Sequence, residues 1–347
     1  MMNLLLALAA LGAAPAAAQS TATLRGVDVY RSVVFDAAKA EAQFGGKLKE
    51  YVLLRNSKRP ASDAKAEELR KAIEAEVAKK PGVAFAALRV SEYYTSVDHA
   101  MYATFDVVDE ADRDRLAFAP RPTGKVPDPA GLLAAWKQYA ELGAALSRQG
   151  RMPIERPDCP GFYCLWGAAT PELAALQQKL VDGVPGKLKE LREVLIKDAD
   201  GQKRAQALYA LSYANAGEQV VEDCLRALKD PDGKVRSAAV QVLADVANHH
   251  KDLRIDLDRV LPALDDPLGE VRGKVMGLLV SMSDDKEQRP KLLSAAPRLV
   301  ALLKLRQPDS SDLAYTVLGL VSKKDLDRRD HPAWEKWAAA AASGKDD

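Results

Sequence analysis

The chain has 347 residues, enough for two domains of ordinary size, each with its own core. Its 50 Lys and Arg against 49 Asp and Glu leave a formal charge of +1, so no net field draws it to nucleic acid or an anionic membrane surface. Aromatic residues are only 6%, and Ala and Leu dominate the apolar share, a bias that favours helices over a β-sandwich.

Residues 1–19 read as a secretory leader. Leu4 to Leu11 is almost purely apolar, Pro15 breaks the run, and Ala16-Ala17-Ala18 supplies the small side chains that cleavage requires. Met1-Met2-Asn3 carries no Lys or Arg, so the positive end is the α-amino group alone; the competing reading is a buried N-terminal helix. The apolar run is too short to span a bilayer, and no transmembrane segment is expected in the mature chain. Export, to the periplasm or out of the cell, is the expectation. With no Cys at the cleavage point, a lipid anchor is not expected.

Residues 22–118 behave as one α+β unit. Leu24 to Phe35 is rich in β-branched residues and reads as a strand. Two helices follow, one from Asp36 to Leu54 and one from Ser62, as N-cap, to Lys79, with Leu69, Ile73 and Val77 on one face. Val83 to Tyr94 and His99 to Val108 then form a hairpin. In its second arm Met101, Ala103, Phe105 and Val107 alternate with Tyr102, Thr104 and Asp106. The order strand, helix, helix, strand, strand resembles the POTRA domains of outer-membrane assembly proteins. That resemblance is topological, and it implies a module that binds other chains by lending a strand edge.

Residues 119–169 connect this unit to the rest. Pro120, Pro122, Pro127 and Pro129 mark an extended linker, followed by a bridging helix from Pro129 to Arg148 with Leu132, Leu133, Trp136 and Leu146 on its apolar face. In the Pro-rich loop that follows, Cys159 and Cys164 flank Pro-Gly-Phe-Tyr, where a short disulfide fits an oxidising compartment. Half of a zinc site is the alternative, and it would need His or Cys ligands that the nearby sequence does not supply. Cys224 lies on an apolar helical stripe and reads as a core thiol.

From residue 170 to 342 the pattern is helical throughout, and it repeats. Leu225-Arg-Ala-Leu228-Lys-Asp-Pro-Asp-Gly-Lys-Val235-Arg236 is followed by Leu261-Pro-Ala-Leu264-Asp-Asp-Pro-Leu-Gly-Glu-Val271-Arg272. A weaker copy precedes, with Leu191, Leu195, Asp198, Asp200 and Arg204. A degenerate one follows, with Leu299, Leu302, Leu303, Pro308 and Asp309, and with Asp312-Leu313 where Val-Arg is wanted after a longer turn. In the second unit Val221, Cys224, Leu225 and Leu228 share one helical face, and Val235, Ala238, Ala239, Val242, Leu243 and Val246 share another. Asp-Pro stops the first helix of each good unit, and Asp232 can cap the second.

This signature resembles HEAT repeats over residues 187–322. The resemblance implies an α-solenoid in which Arg204, Arg236 and Arg272 pair with turn carboxylates such as Asp230 or Asp266, forming a ladder. An anion-binding row of arginines is the competing reading. Phe162, Tyr163, Leu165 and Trp166 are placed to cover the first hairpin, and Trp334 and Trp337, at helical spacing after Pro332, the last. A sharper alternative has the cysteine loop presenting Phe162 or Tyr163 as a binding anchor.

Little in the sequence points to catalysis. The four histidines, His99, His249, His250 and His331, sit at a hairpin tip, at a helix end or before a proline. A zinc site from His249, His250 and Asp252 lacks ligand spacing on one helix face. No nucleophile elbow, phosphate loop, dinucleotide fingerprint or His-Glu-x-x-His motif occurs. The sequence therefore reads as a mainly α protein, a solenoid preceded by a β-α-α-β-β domain, that acts as an exported, non-enzymatic scaffold without cofactor or metal. Its partner is expected to be a protein or peptide, not nucleic acid. Gln241, Lys274 and Tyr315 are placed by spacing on the outward face of the second helices. The alternatives are an envelope-assembly factor acting through the POTRA-like unit and, behind it, a lyase-like enzyme or accessory subunit.

Overall fold

The computed structural model describes residues 22–57, 59–94, 98–153 and 158–344; the leader read over residues 1–19 lies outside them. The first unit contains β1 (Thr23–Tyr30), α1 (Ala37–Asn56), α2 (Pro60–Ala78), β2 (Val83–Tyr94) and β3 (His99–Asp109). The strands form one sheet in the order β1-β3-β2, with β1 parallel and β2 antiparallel to the central β3.

Two boundaries differ from the sequence expectation. β1 ends at Tyr30 rather than Phe35, because Arg31 adopts a left-handed φ of 54° and turns the chain out of the sheet. Asp109 then holds the departing loop, accepting from Ser32 Oγ at 2.6 Å and Val33 N at 2.8 Å. Ser62 does not cap α2. The helix already begins at Pro60, whose fixed φ and missing N–H suit the first helical position.

Both faces of the sheet are buried. Val27, Leu88, Ala103, Phe105 and Val107 pack with Phe44, Leu48, Ile73 and Val77 of α1 and α2 into one apolar core. Phe105 meets Phe35 edge-on at 5.4 Å. The alternating residues Asp28, Arg89, Ser91, Thr104 and Asp106 point the other way, yet all but Arg89 are almost fully buried. Strand pairing lines them up across the sheet: Asp28 beside Thr104, Thr104 beside Arg89, Tyr30 beside Asp106. Alternation ordinarily marks one wet face. Here the polar face is dry because the helical half sits against it.

That half is a stack. α3 (Leu132–Arg148) and α4 (Pro171–Gly183) open it. The hairpins α5 (Leu188–Lys197) with α6 (Gly201–Leu211), α7 (Gly217–Ala227) with α8 (Gly233–His249), and α9 (Leu257–Val260) with α10 (Gly269–Met282) follow. α11 (Arg289–Ser294), α12 (Ala296–Leu303), α13 (Pro308–Ser322) and α14 (His331–Ala342) complete it. Second helices pack on second helices, α6 on α8, α8 on α10 and α10 on α13, with α3 against α6 at the near end. One apolar core runs from Leu132 to Ala341, and Cys224 lies inside it as expected of a core thiol. The segment read as a linker is extended, but it is not free: it lies along the turns of the stack, Ala119 N donating to Lys229 O at 2.7 Å and Gly124 N to Lys197 O at 2.9 Å.

Aromatic residues close both ends. Tyr163 stacks on Tyr209 at 5.2 Å, Tyr209 on Trp136 at 4.8 Å, and Trp166 Nε1 donates to Ala140 O of α3. The Cys159–Cys164 disulfide, with Cα atoms 5.5 Å apart, holds this loop. Trp334 is fully buried at the far end, edge-on to Trp337 and Tyr315. Trp334→Ala should therefore cost about 3–5 kcal/mol of unfolding free energy in urea titrations, whereas the exposed Leu320→Ala stays within about 0.5 kcal/mol. Equal losses in the two variants would show that α14 does not close the stack.

Candidate functional site

The feature around which the molecule is built is a row of buried arginines along the turns between first and second helices. Asp230 accepts its own turn's Asp232 N at 2.8 Å and a two-pronged contact from Arg204 of the preceding unit, Nε at 2.8 Å and Nη2 at 2.6 Å. Asp266 repeats the arrangement with Leu268 N at 2.8 Å and Arg236 at 2.6 and 3.0 Å. Each arginine also donates from Nη1 to a carbonyl of its own turn: Arg204 to Asp198 O, Arg236 to Asp230 O and Arg272 to Asp266 O, at 2.8 to 2.9 Å. A guanidinium presents donors in a fixed fork, so one side chain can bridge two turns with a single geometry. The paired carboxylate holds Arg204 above its ordinary pKa.

The ladder expected from the repeat resemblance is thus present for Arg204 and Arg236, and it needs one correction. Arg272 does not find a repeat carboxylate. Its carboxylate partner is Asp106 of β3, an ion pair in which both side chains are nearly fully buried. Asp106 takes the carboxylate role with a different geometry: one oxygen meets Arg272 Nη2 and the other accepts Gly269 N, the first residue of α10, at 2.8 Å, while Arg272 Nε finds no acceptor among the described residues. The last unit explains the exchange. Its turn reads Lys304-Leu305-Arg306-Gln307, with no aspartate to offer.

Gln307 caps α13, so Ser310-Ser311 stand where Val-Arg stood in the earlier units. The expected match at Asp312-Leu313 and the expected longer turn are both overturned. Arg89 of β2 reaches in instead, donating to Gln307 Oε1 at 2.7 Å and Ser310 Oγ at 3.1 Å, while Gln307 N donates to Asp28 at 3.0 Å. Burial lowers the Arg89 pKa and raises that of Asp28.

At the opposite end the linker fills the vacant place. Asp198, whose carboxylate no arginine side chain reaches among the described residues, accepts Val126 N at 2.9 Å and the Lys203 ammonium. The N-terminal segment also covers the row with aromatic rings. Phe118 lies 3.9 Å from the Arg236 guanidinium, and Tyr30 lies 3.9 Å from that of Arg272.

Glycine supplies a signal that sequence reading passed over. The second helices begin at Gly201, Gly233 and Gly269, and an added Cβ would collide with Asp232 at 2.0 Å, with Leu268 at 2.2 Å and with Asp106 at 3.0 Å. Three successive helix starts are thus closely approached by a side chain from another element, and Asp106 is the third of the series. The recurring glycine was visible at each start. The identity of Asp106, Arg89, Asp28, Phe118 and Tyr30 as partners was not, since nothing local in a strand marks what will face it.

The residues read as a partner surface separate into two groups. Gln241 on α8 and Lys274 on α10 keep part of their surface open, with Lys274 beside Glu270 at 3.6 Å and its pKa lowered by burial. Glu270 also accepts Ser237 Oγ at 2.7 Å, so a polar strip crosses these helices. Tyr163 does not face outward, and the half-buried Tyr315 and Phe162 are largely engaged by neighbours. Tyr315 is covered by the segment leading to α14, its hydroxyl donating to Leu326 O at 3.2 Å; Tyr163 is buried; Phe162 packs against His250 at 4.8 Å and over Gly217. Their rings close the stack because a solenoid end exposes an apolar layer that needs a lid.

Residues 188–279 match the family model described as HEAT repeats, over the units that carry the ladder. No curated protein matches the chain, and no solved structure does. The C-terminal part is therefore a HEAT-repeat solenoid, an architecture that suggests a helical scaffold for protein interaction. Among the described residues, no helix is long and apolar enough to cross a membrane.

Removing one member of the buried Arg272–Asp106 pair leaves the other uncompensated. Arg272→Met and Asp106→Leu should each cost about 3–5 kcal/mol, and the double variant clearly less than their sum. Additive losses in chemical denaturation would show that the two side chains do not act as a pair.

Proposed function

We propose that this chain is an exported, non-enzymatic scaffold that binds a protein or peptide on the exposed face of its second helices. The observation that carries the reading is the occupancy of the other edge. The arginine row is engaged by turn aspartates and by Asp106, which argues against a free anion-binding row. The strip of Gln241, Glu270 and Lys274 across α8 and α10 is left open, and stacked second helices present an extended surface to a partner.

Export is supported by the apolar leader and by the Cys159–Cys164 disulfide, a bond that persists in oxidising compartments. The envelope-assembly alternative draws on the β-α-α-β-β order of the first domain. It is less favoured because one face of that sheet grips the solenoid and the other its own helices. On the outer edge of β2, moreover, Leu88 N is already taken by Glu74 Oε1 at 2.7 Å.

Affinity capture from an envelope or culture-supernatant extract tests the scaffold reading. Wild type is expected to enrich a partner that Gln241→Glu with Lys274→Glu loses, and capture of the same partner by both proteins would place binding elsewhere. For export, the secreted chain should begin near Ser20. Under denaturing, non-reducing conditions it should label at one thiol, that of Cys224; labelling at three thiols would exclude an oxidising compartment.

A further inference from the structure

The turns of the good repeats are acidic where they meet the ladder: Lys229-Asp230-Pro231-Asp232 and Asp265-Asp266-Pro267-Leu268. In the last unit the corresponding turn, Lys304-Leu305-Arg306-Gln307, is basic, and so is the centre of the turn that leads into α14, Asp327-Arg328-Arg329-Asp330. The fold brings these two basic turns together around an open cavity of about 500 Å³. Lys304, Arg306, Ser311, Arg328, Arg329 and His331 line it, and no carboxylate does among the described residues.

Two of the cations are already answered by carboxylates from outside the cavity, Lys304 by Glu335 and Arg328 by Asp312, and Arg328 also donates to Ser311 Oγ in the cavity wall at 2.6 Å. Arg306 and Arg329 are exposed and make no ion pair within 4 Å among the described residues. The backbone N–H of Arg306 is taken by the buried Asp28. The two acids nearest Arg329 in sequence are turned to local work: Asp327 accepts Arg329 N at 2.7 Å and Asp330 caps α14.

We propose that this basic cradle binds a run of carboxylates on a polypeptide, an acidic segment of the partner to which the scaffold reading above already commits the protein. The last unit has lost the ladder arginine as well as the turn aspartate, but its two turns gather Lys304, Arg306, Arg328 and Arg329 around one cavity that no carboxylate lines among the described residues, so the charge a partner must bring there is negative. The cavity is larger than one oxyanion and its cations are spread over two turns, which suits several carboxylates along a chain. The near-neutral net charge of the molecule speaks against a nucleic-acid backbone as occupant.

Fluorescence anisotropy of fluorescein-labelled hexaglutamate with the full mature chain tests this, at about 20 mM and about 150 mM salt. Wild type should bind hexaglutamate and not hexaglutamine, more weakly at the higher salt. Arg306→Glu with Arg329→Glu should weaken binding at least about tenfold, and the neutral pair Arg306→Gln with Arg329→Gln by less. The remote reversal Lys49→Glu with Lys179→Glu, on α1 and α4, should stay within about twofold. No binding by wild type, or equal loss in both reversals, overturns the cradle. Displacement of the peptide by an equal concentration of inorganic phosphate would also overturn it, in favour of a lone oxyanion. Binding that is lost in Gln241→Glu with Lys274→Glu but kept in the Arg306 and Arg329 variants overturns the cradle while leaving the scaffold reading intact.

Discussion

A buried guanidinium must have its charge answered by a carboxylate, and three of them set the geometry of this protein. Arg204, Arg236 and Arg272 are each at most 2% exposed. Burying such a group is costly unless a carboxylate and further acceptors meet it. The repeat solves this by linking neighbours: the arginine of one unit takes the aspartate of the next and a carbonyl of its own turn. The spacing and rotation between hairpins are then constrained by a rigid fork as well as by apolar packing.

A ladder of this kind cannot end quietly, because the turn that follows its last arginine has no aspartate to offer. Here the chain's own first domain supplies the answer. Asp106 takes the carboxylate role for Arg272, Arg89 enters the unit that has lost its arginine, and Tyr30 covers the last guanidinium as Phe118 covers the one before. The contact between the two halves is accordingly polar. Their apolar cores are separate apart from Tyr30, which belongs to the core of the solenoid. Such an interface gives little generic hydrophobic stickiness and strong positional specificity, since a misplaced sheet would strand Arg272 without its carboxylate.

Much of the solenoid was legible in the sequence because its signals are local. Asp-Pro stops a helix, an apolar stripe of Val235, Ala238, Ala239 and Val242 defines its face, and two copies of Val-Arg at one offset announce a stack. The β-α-α-β-β order was legible for the same reason. Spacing alone could not tell an outward residue from one covered by a later segment. Tyr315 has the right position on α13, yet the residues leading to α14 close over it. The fourth unit was misaligned because Ser310-Ser311 carry no trace of the Val-Arg they replace; only the capping role of Gln307 fixes the register.

The sequence by itself determined the helical hairpins, the short cysteine loop and the supply of arginines and aspartates for a ladder, since each follows from residues within a few turns of one another. Tertiary structure alone decided how the ladder ends. Asp106 is separated from Arg272 by 166 positions and from Gly269 by 163, and a strand aspartate flanked by apolar neighbours carries no mark of the guanidinium it will meet. The charge that must be neutralised is written locally; the group that neutralises it is chosen by how two separately folded surfaces come to rest on each other.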